Sequence, residues 1–199
     1  MAVDPDDTGQ LVRGAAGGDE IAWRGLVARF SGLVWAVARA HRLASADAAD
    51  VFQTTWLRLA EHIGRIEHPE RVGAWLATAA RRECLQHLRT AGRTTPTDDM
   101  DRLDLTPAAG NPTEEAVLAA EKEREDADLA AVLWRAFGQL SGRCRELLRV
   151  LMATPPPSYA EVAAALGLPL GSIGPTRARC LQRLRDEMAG IRDGLTPSS

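Results

Sequence analysis

The chain has 199 residues, of which 45% are hydrophobic and 26% charged, with a formal net charge of −3. This length allows one buried core or two small ones, and the uncharged apolar runs are shorter than the roughly 18 residues of a membrane span. The acidic N-terminus lacks the apolar segment of a secretory signal, so we expect a cytoplasmic protein without membrane insertion. The three cysteines, Cys84, Cys144 and Cys180, are odd in number and widely spaced, which favours a reducing compartment over a disulfide framework.

The charge is unevenly distributed along the chain. From Gly92 to Asp128 there are 11 acidic and 4 basic residues, a local charge of −7, so the remainder sums to −3 + 7 = +4. From Arg135 to Arg192 there are 9 arginines and 4 acidic residues. The C-terminal part is therefore basic on its own, which permits contact with phosphates despite the acidic total.

Residues from about Asp19 to Arg89 form a first helical block of three or four helices. Ile21–Ala40 carries an apolar stripe, and Asp47 is placed to cap the next helix. In that second helix a buried side steps by four residues through Val51, Thr55, Leu59 and Ile63. The opposite, exposed side comprises Asp50, Gln53, Thr54 and Leu57.

A third helix, about Arg71–Arg89, buries an apolar face and exposes Arg82, Gln86 and Arg89 at helical spacing. A solvated helix face would by itself explain that polar stripe. Trp75 lies among apolar neighbours, which favours a place in the core over a stacking surface for a base.

Residues 90–114 contain three prolines and many Asp and Thr residues, without a sustained period, and they predict a linker. From Glu115 the pattern is helical again to about Ile191. No segment alternates as a strand would, so we predict an all-α fold.

The segment Tyr159–Arg185, YAEVAAALGLPLGSIGPTRARCLQRLR, predicts two helices separated by a glycine turn. Gly167 can take the left-handed conformation of that turn, and Ala163 is small enough for two helices to cross closely. Ser172 is placed to cap the second helix, and Pro175 falls in its first turn. This arrangement is typical of a helix-turn-helix, whose second helix enters the DNA major groove, although an ordinary helical hairpin would share part of the pattern.

Together the two blocks resemble the extracytoplasmic-function sigma factors, group IV of the sigma-70 family, of bacterial RNA polymerase. The first block is similar to sigma region 2 in GDEIAWRGLVARF, DAADVFQTTWLRL and GAWLATAARRECLQHLR. The last is similar to region 4, which continues the helix-turn-helix segment upstream from LSGRCRELLRVLMATPPPS. The resemblance implies two small helical domains, at residues 10–91 and 128–192, joined by an acidic linker at 92–127.

The resemblance also implies roles for particular residues. The helix with the DxxQ motif would bind core RNA polymerase, through Asp50, Gln53, Thr54 and Leu57. The third helix would read and help to melt the −10 promoter element, through Arg81, Arg82, Gln86 and Arg89. The second helix of the helix-turn-helix would read the −35 element, through Ser172, Pro175, Thr176, Arg177, Arg179 and Arg183.

Several of these positions depart from the pattern of the family. Thr54 stands where relatives commonly carry glutamate, and Arg82 and Gln86 stand where many carry asparagine and aspartate. The run Gly174–Arg177 replaces a frequent Lys-Ser-Arg-Leu, so we expect Arg177 and Arg179 to supply the missing basic contacts. The promoter preference of a relative therefore does not carry over to this chain.

We expect a promoter-specificity subunit and not an enzyme, with core RNA polymerase, promoter DNA and an anti-sigma factor as partners. No metal or other cofactor is implied, because the histidines are scattered and no catalytic constellation stands out. Two other interpretations remain open. One is a helix-turn-helix regulator that acts without core polymerase, and the other is a protein that sequesters polymerase or another regulator without binding DNA.

Overall fold

The computed structural model describes residues 7–90 and 114–193. They form eight α-helices and three short 3₁₀ segments, at Ile63–Arg65, Pro69–Arg71 and Leu170–Ser172. The helices are α1 (Thr8–Ala16), α2 (Glu20–Ala40), α3 (Ser45–His62), α4 (Val72–Thr90), α5 (Glu114–Gln139), α6 (Gly142–Leu151), α7 (Tyr159–Leu166) and α8 (Ile173–Asp193). No strand occurs in these two ranges, and the predicted all-α class is confirmed.

Aspartates cap the first two helices. Asp7 accepts a hydrogen bond from the backbone N–H of Gln10, which lowers the pKa of the Asp7 carboxyl, and Asp19 accepts from Ile21 and Ala22. Such caps satisfy N–H groups that have no partner within the helix.

Helix α3 begins differently from the prediction. Its N-cap is Ala44, which has no side-chain cap, and Asp47 lies inside the first turn. The predicted Asp47 cap is therefore wrong, because the helix starts earlier than the sequence pattern suggested. A carboxylate in the first turn still interacts favourably with the positive end of the helix dipole.

The chain divides into two compact units, Met1–Asp98 with Glu146–Arg177, and Asp99–Arg145 with Ala178–Ser199. Helices α6 and α8 contribute residues to both units. This division follows packing, whereas the predicted domain boundaries follow the order of the motifs, and those boundaries stay a prediction. The predicted linker falls outside the described residues from 92 to 113, and its last residues, 114–127, lie in α5.

The core of the first unit is formed by α1 to α4. Fully buried side chains come from successive turns of these helices, among them Leu26, Val34, Val51, Leu59 and Leu76. By length and composition α2 is apolar enough to cross a membrane. However, its apolar stripe is buried against the neighbouring helices, so it is the core helix of this unit.

Helix α7 belongs to the same unit and packs on α4. At Gly73 of α4 a side chain would overlap the Glu161 carboxylate and lie 2.7 Å from the Phe30 ring. At Gly32 of α2 a side chain would overlap the carbonyl oxygen of Thr154. These two glycines therefore allow the segment around α7 to approach α2 and α4 closely.

The second unit contains α5, the start of α6 and most of α8. Val132 and Ala136 are buried on α5, and Leu140, directly after the helix, is also buried. A disulfide joins Cys144 of α6 to Cys180 of α8, with 5.4 Å between their Cα atoms. The sequence argument against a disulfide framework therefore fails for two of the three cysteines, because the fold brings together residues 36 positions apart.

Candidate nucleic-acid and polymerase surfaces

Helix α3 separates a fully buried side from a polar exposed side. Val51, Thr55 and Leu59 are each 0% exposed, and the Thr55 hydroxyl donates to the carbonyl of Val51, 2.7 Å away. The side chain of Thr55 is thereby satisfied inside the helix, so a polar residue can occupy the buried side. Ile63, predicted to continue this side, is only half-buried and lies in the 3₁₀ segment after α3.

The residues predicted to bind polymerase lie on the opposite side of α3. Asp50, Gln53 and Leu57 are exposed, and Thr54 is half-buried. Leu57 is 60% exposed, an unusual position for a large apolar side chain. A carboxylate, an amide and an exposed leucine one turn apart give directional contacts and an apolar anchor on one surface.

An ion pair between a buried carboxylate and a partly exposed guanidinium connects α3 to α4. The Arg58 guanidinium lies 2.8 Å from the Glu83 carboxylate, and the Glu83 side chain is 8% exposed. Sequence analysis missed this pair, although Glu83 follows Leu76 and Ala80 at helical spacing on the buried side of α4. An acidic residue at that spacing indicates a partner on a neighbouring helix, because a buried charge is costly alone.

The polar stripe on α4 is present. Arg82, Gln86 and Arg89 are all exposed and recur on one side of the helix. Trp75 is half-buried, with its ring 6.2 Å from that of His62. The three stripe residues thus form an accessible surface with two cations, whereas the indole of Trp75 is partly covered.

Arg81 has a different environment from the rest of its group. It is half-buried, and a Cβ atom placed on Gly167 would lie 2.7 Å from the Arg81 guanidinium carbon. The guanidinium therefore lies directly over the turn between α7 and α8. In this conformation Arg81 is less accessible than the other three residues predicted to contact the −10 element.

The helix-turn-helix turn has the predicted geometry. Gly167 ends α7 with φ +64° and ψ +39°, in the left-handed region, and the N–H of Leu168 donates to the carbonyl of Ala163. Ser158 and Glu161 form a capping box at the start of α7. The S-x-x-E spacing of this box is visible in the sequence, but sequence analysis missed it.

Two residues at the start of α8 differ from the prediction. The Ser172 hydroxyl donates to the carbonyl of Pro169, 2.7 Å away, and so is not placed as the expected acceptor for a helix N–H. Thr176 is 8% exposed, so it lies inside and not at the edge of the outer surface. Thr176 follows Ile173 by three residues, so both side chains lie on the same buried side of α8.

The remaining residues predicted to contact the −35 element are accessible. Pro175 lies in the first turn of α8, and Arg179 and Arg183 follow on the exposed side. Arg177 is exposed, and its guanidinium donates to the Tyr159 hydroxyl, 3.3 Å away. Helix α8 thus exposes all three of these arginines, while Ile173 and Cys180 are buried.

The side chains described at 7–90 and 126–192 contain no cluster of three or more metal-ligating residues. Cys84 is a buried free thiol, and burial raises the pKa of this thiol to about 12. The surfaces described above are therefore built from cations, amides and exposed apolar groups, which suit recognition of macromolecules.

The chain is similar to known proteins in one sequence region and in its fold. The family model for sigma-70 region 2 matches residues 26–94. A solved structure, that of CnrH in complex with the cytosolic domain of CnrY, is 24% identical and has a TM-score of 0.55. The match covers 96% of this chain and 100% of CnrH. No curated protein matches by sequence.

Helices α2 to α4, which bear the polar sides of α3 and α4, lie mainly within the matched region 2 segment. The likeness to the fold of CnrH extends over the C-terminal helices as well. Residues 26–94 therefore match sigma-70 region 2, and the fold of the chain is similar to that of CnrH.

Proposed function

We propose that the protein binds core RNA polymerase and directs transcription initiation from promoters whose −35 and −10 elements it recognises. The observation that carries this proposal is the two-sided character of α3 within the region 2 segment. One side is fully buried in the core, and the other presents Asp50, Gln53 and Leu57 to a partner. A surface with one exposed leucine and two polar groups suits a protein partner.

In the proposed mechanism α4 contacts the −10 element after α3 has bound the polymerase. Arg82 and Arg89 would hold the phosphates of the displaced strand, and Gln86 lies between them with both donor and acceptor groups for a base edge. Arg81 would join them once its guanidinium leaves Gly167. The Arg58–Glu83 pair links the two helices, so that polymerase binding at α3 positions the stripe on α4.

The exposed side of α8 would read the −35 element as duplex DNA. Arg179 and Arg183 are one turn apart, and Arg177 is on the same helix, within reach of phosphates or guanine edges. Pro175 contributes shape at the start of the helix, and Ser172 precedes it. Thr176 is buried and would act by supporting the helix instead of touching DNA.

A further partner in this proposal is an anti-sigma protein. CnrH was solved with the cytosolic domain of CnrY, and by analogy a second protein would hold this chain away from polymerase until a signal releases it. Release would then let the surfaces on α3, α4 and α8 bind polymerase and DNA.

Run-off transcription with purified core polymerase on a genomic fragment library tests the proposal. New transcripts whose start sites share upstream −35 and −10 elements are expected only when the protein is added. Binding to core polymerase without transcripts would favour a sequestering protein, and duplex binding without polymerase binding would favour a conventional regulator.

Variants distinguish the surfaces. Asp50→Ala combined with Leu57→Ala should abolish polymerase binding, whereas Glu61→Ala, an exposed residue near the end of the same helix, should not.

Arg82→Ala combined with Arg89→Ala should retain polymerase binding but lose strand opening, detected by permanganate reactivity of unpaired thymines. Arg13→Ala on α1 is the matched control for removal of an exposed cation. Normal opening by the double arginine variant would contradict the role of α4.

A further inference from the structure

The Cys144–Cys180 bond lies inside the proposed DNA-reading region. Cys144 is in the first turn of α6, and Cys180 is in the middle of α8, immediately after Arg179 and one turn before Arg183. The two cysteines belong to the same compact unit. Their residues are 8% and 1% exposed, so the bond is part of the packing between α6 and α8.

The third cysteine is separate from this pair. Cys84 is a buried free thiol on α4. Because a thiol with so high a pKa remains protonated, it is a poor nucleophile for disulfide exchange. Cys144 and Cys180 therefore form a two-thiol centre of their own, and Cys84 offers an internal control.

Sigma factors act in the cytosol, where a disulfide is usually transient and associated with redox sensing or catalysis. The chain has no catalytic use for this bond in its proposed function. We therefore expect the bond between α6 and α8 to form and break while the protein functions.

We propose that Cys144 and Cys180 are a reversible redox site, and that oxidation strengthens the binding of duplex DNA by α8. The inference rests on the proposed function, because it assigns DNA contact to α8. In the oxidising step, the two thiols react with glutathione disulfide. One protein disulfide forms, the glutathione disulfide breaks, and two glutathione thiols carry away the two protons and two electrons.

The direction of the effect follows from the packing. The bond fixes α8 against the start of α6 at Cys180, between the two arginines that would contact DNA. When it is reduced, two small thiols remain in an apolar site that accommodates them, so the fold persists but α8 can shift and rotate. The binding-competent position is then only partly populated, which lowers the apparent affinity by that fraction.

The burial of both sulfur atoms also predicts how the site reacts. Glutathione reaches them only when α6 and α8 separate locally. Exchange should therefore be slower in the folded chain than in the chain unfolded by urea, and bound DNA should slow it further because DNA holds α8 in place.

The test uses the full-length protein equilibrated in glutathione buffers of graded redox ratio. Thiol content is measured by mass after maleimide labelling in denaturant, and affinity for a short mixed-sequence duplex is measured by fluorescence anisotropy at low salt. We expect the oxidised protein to bind at least about fivefold more tightly than the reduced protein. Cys84→Ala should keep this difference, and Cys144→Ala combined with Cys180→Ala should bind like the reduced protein in every buffer.

The outcomes are separable. Equal affinity of the two forms, weaker binding by the oxidised form, or failure of the disulfide to form at any glutathione ratio would overturn the redox inference alone. Absence of duplex binding in both forms would overturn the proposed DNA contact and the inference with it. If the double variant fails to fold, as judged by circular dichroism, the comparison of the two forms of the wild-type protein still decides the question.

Discussion

The region formed by α1 to α4 and the region formed by α5, the start of α6 and most of α8 hold their helices together in different ways. In the first, fully buried leucine and valine side chains from four helices form the core, and the Arg58–Glu83 ion pair joins α3 to α4. In the second, a disulfide lies at the contact between α6 and α8. A larger core buries more apolar surface, whereas a smaller core gains relatively more stability from a covalent link.

The largest expected effect concerns the disulfide. Reduction should lower the free energy of unfolding by about 4 kcal/mol, because the bond closes a loop of 36 residues and restricts the unfolded chain. Urea unfolding of the oxidised and reduced protein, followed by circular dichroism, measures the difference. Identical unfolding midpoints would show that the second region does not depend on its cross-link and would remove the contrast with the first.

A matched pair of leucines on α3 tests the first region. Leu59→Ala should cost about 3 kcal/mol of unfolding free energy, because Leu59 is 0% exposed and truncation leaves a cavity. Leu57→Ala should cost less than about 0.5 kcal/mol, since Leu57 is mostly exposed, while weakening the binding of core polymerase. Urea unfolding measures the loss of stability, and a pull-down with core polymerase measures the loss of binding. Equal destabilisation by both variants would contradict the division of α3 into a buried and an exposed side.

Replacing either partner of the ion pair between α3 and α4 should lower the free energy of unfolding, but by different amounts. Arg58→Gln leaves the Glu83 carboxylate buried without its cation and should cost about 2 kcal/mol of unfolding free energy. Glu83→Gln should cost less, about 1 kcal/mol, because the Arg58 side chain is 45% exposed and can be solvated. Chemical denaturation of both variants measures the order, and a larger loss for Glu83→Gln would show that the buried carboxylate is not the dominant cost.

The last expected effect is a pH dependence from Cys84. Its thiol has a pKa of about 12 in the folded protein against an ordinary value of 9.0, so the folded state retains a proton that the unfolded state releases. Stability from this group is complete below pH 9 and is lost as pH rises toward about 12. From about pH 8 to about pH 10, the wild-type protein should lose about 1.4 kcal/mol more unfolding free energy than Cys84→Ala. Parallel pH profiles of the two proteins would contradict the burial of a neutral thiol in this core.

Much of the fold follows from local patterns in the sequence. The four-residue step through Val51, Thr55 and Leu59 identified the buried side of α3, and the opposite side is exposed as predicted, except for the half-buried Thr54. Gly167 takes the left-handed turn that the helix-turn-helix pattern requires. These features depend on helical periodicity and on the conformational freedom of glycine, which are properties of short segments.

Other features were decided only by the tertiary structure, because they join residues far apart in the chain. Periodicity cannot pair Arg58 with Glu83 or Cys144 with Cys180, nor can it place the Arg81 guanidinium over Gly167. Thr176 shows the same limit, since its burial depends on how far neighbouring elements cover the start of α8. The sequence by itself therefore determined which helices form and which sides they expose, while long-range packing decided which charges are paired, which thiols are joined and which arginines remain accessible, because those outcomes depend on the relative positions of helices.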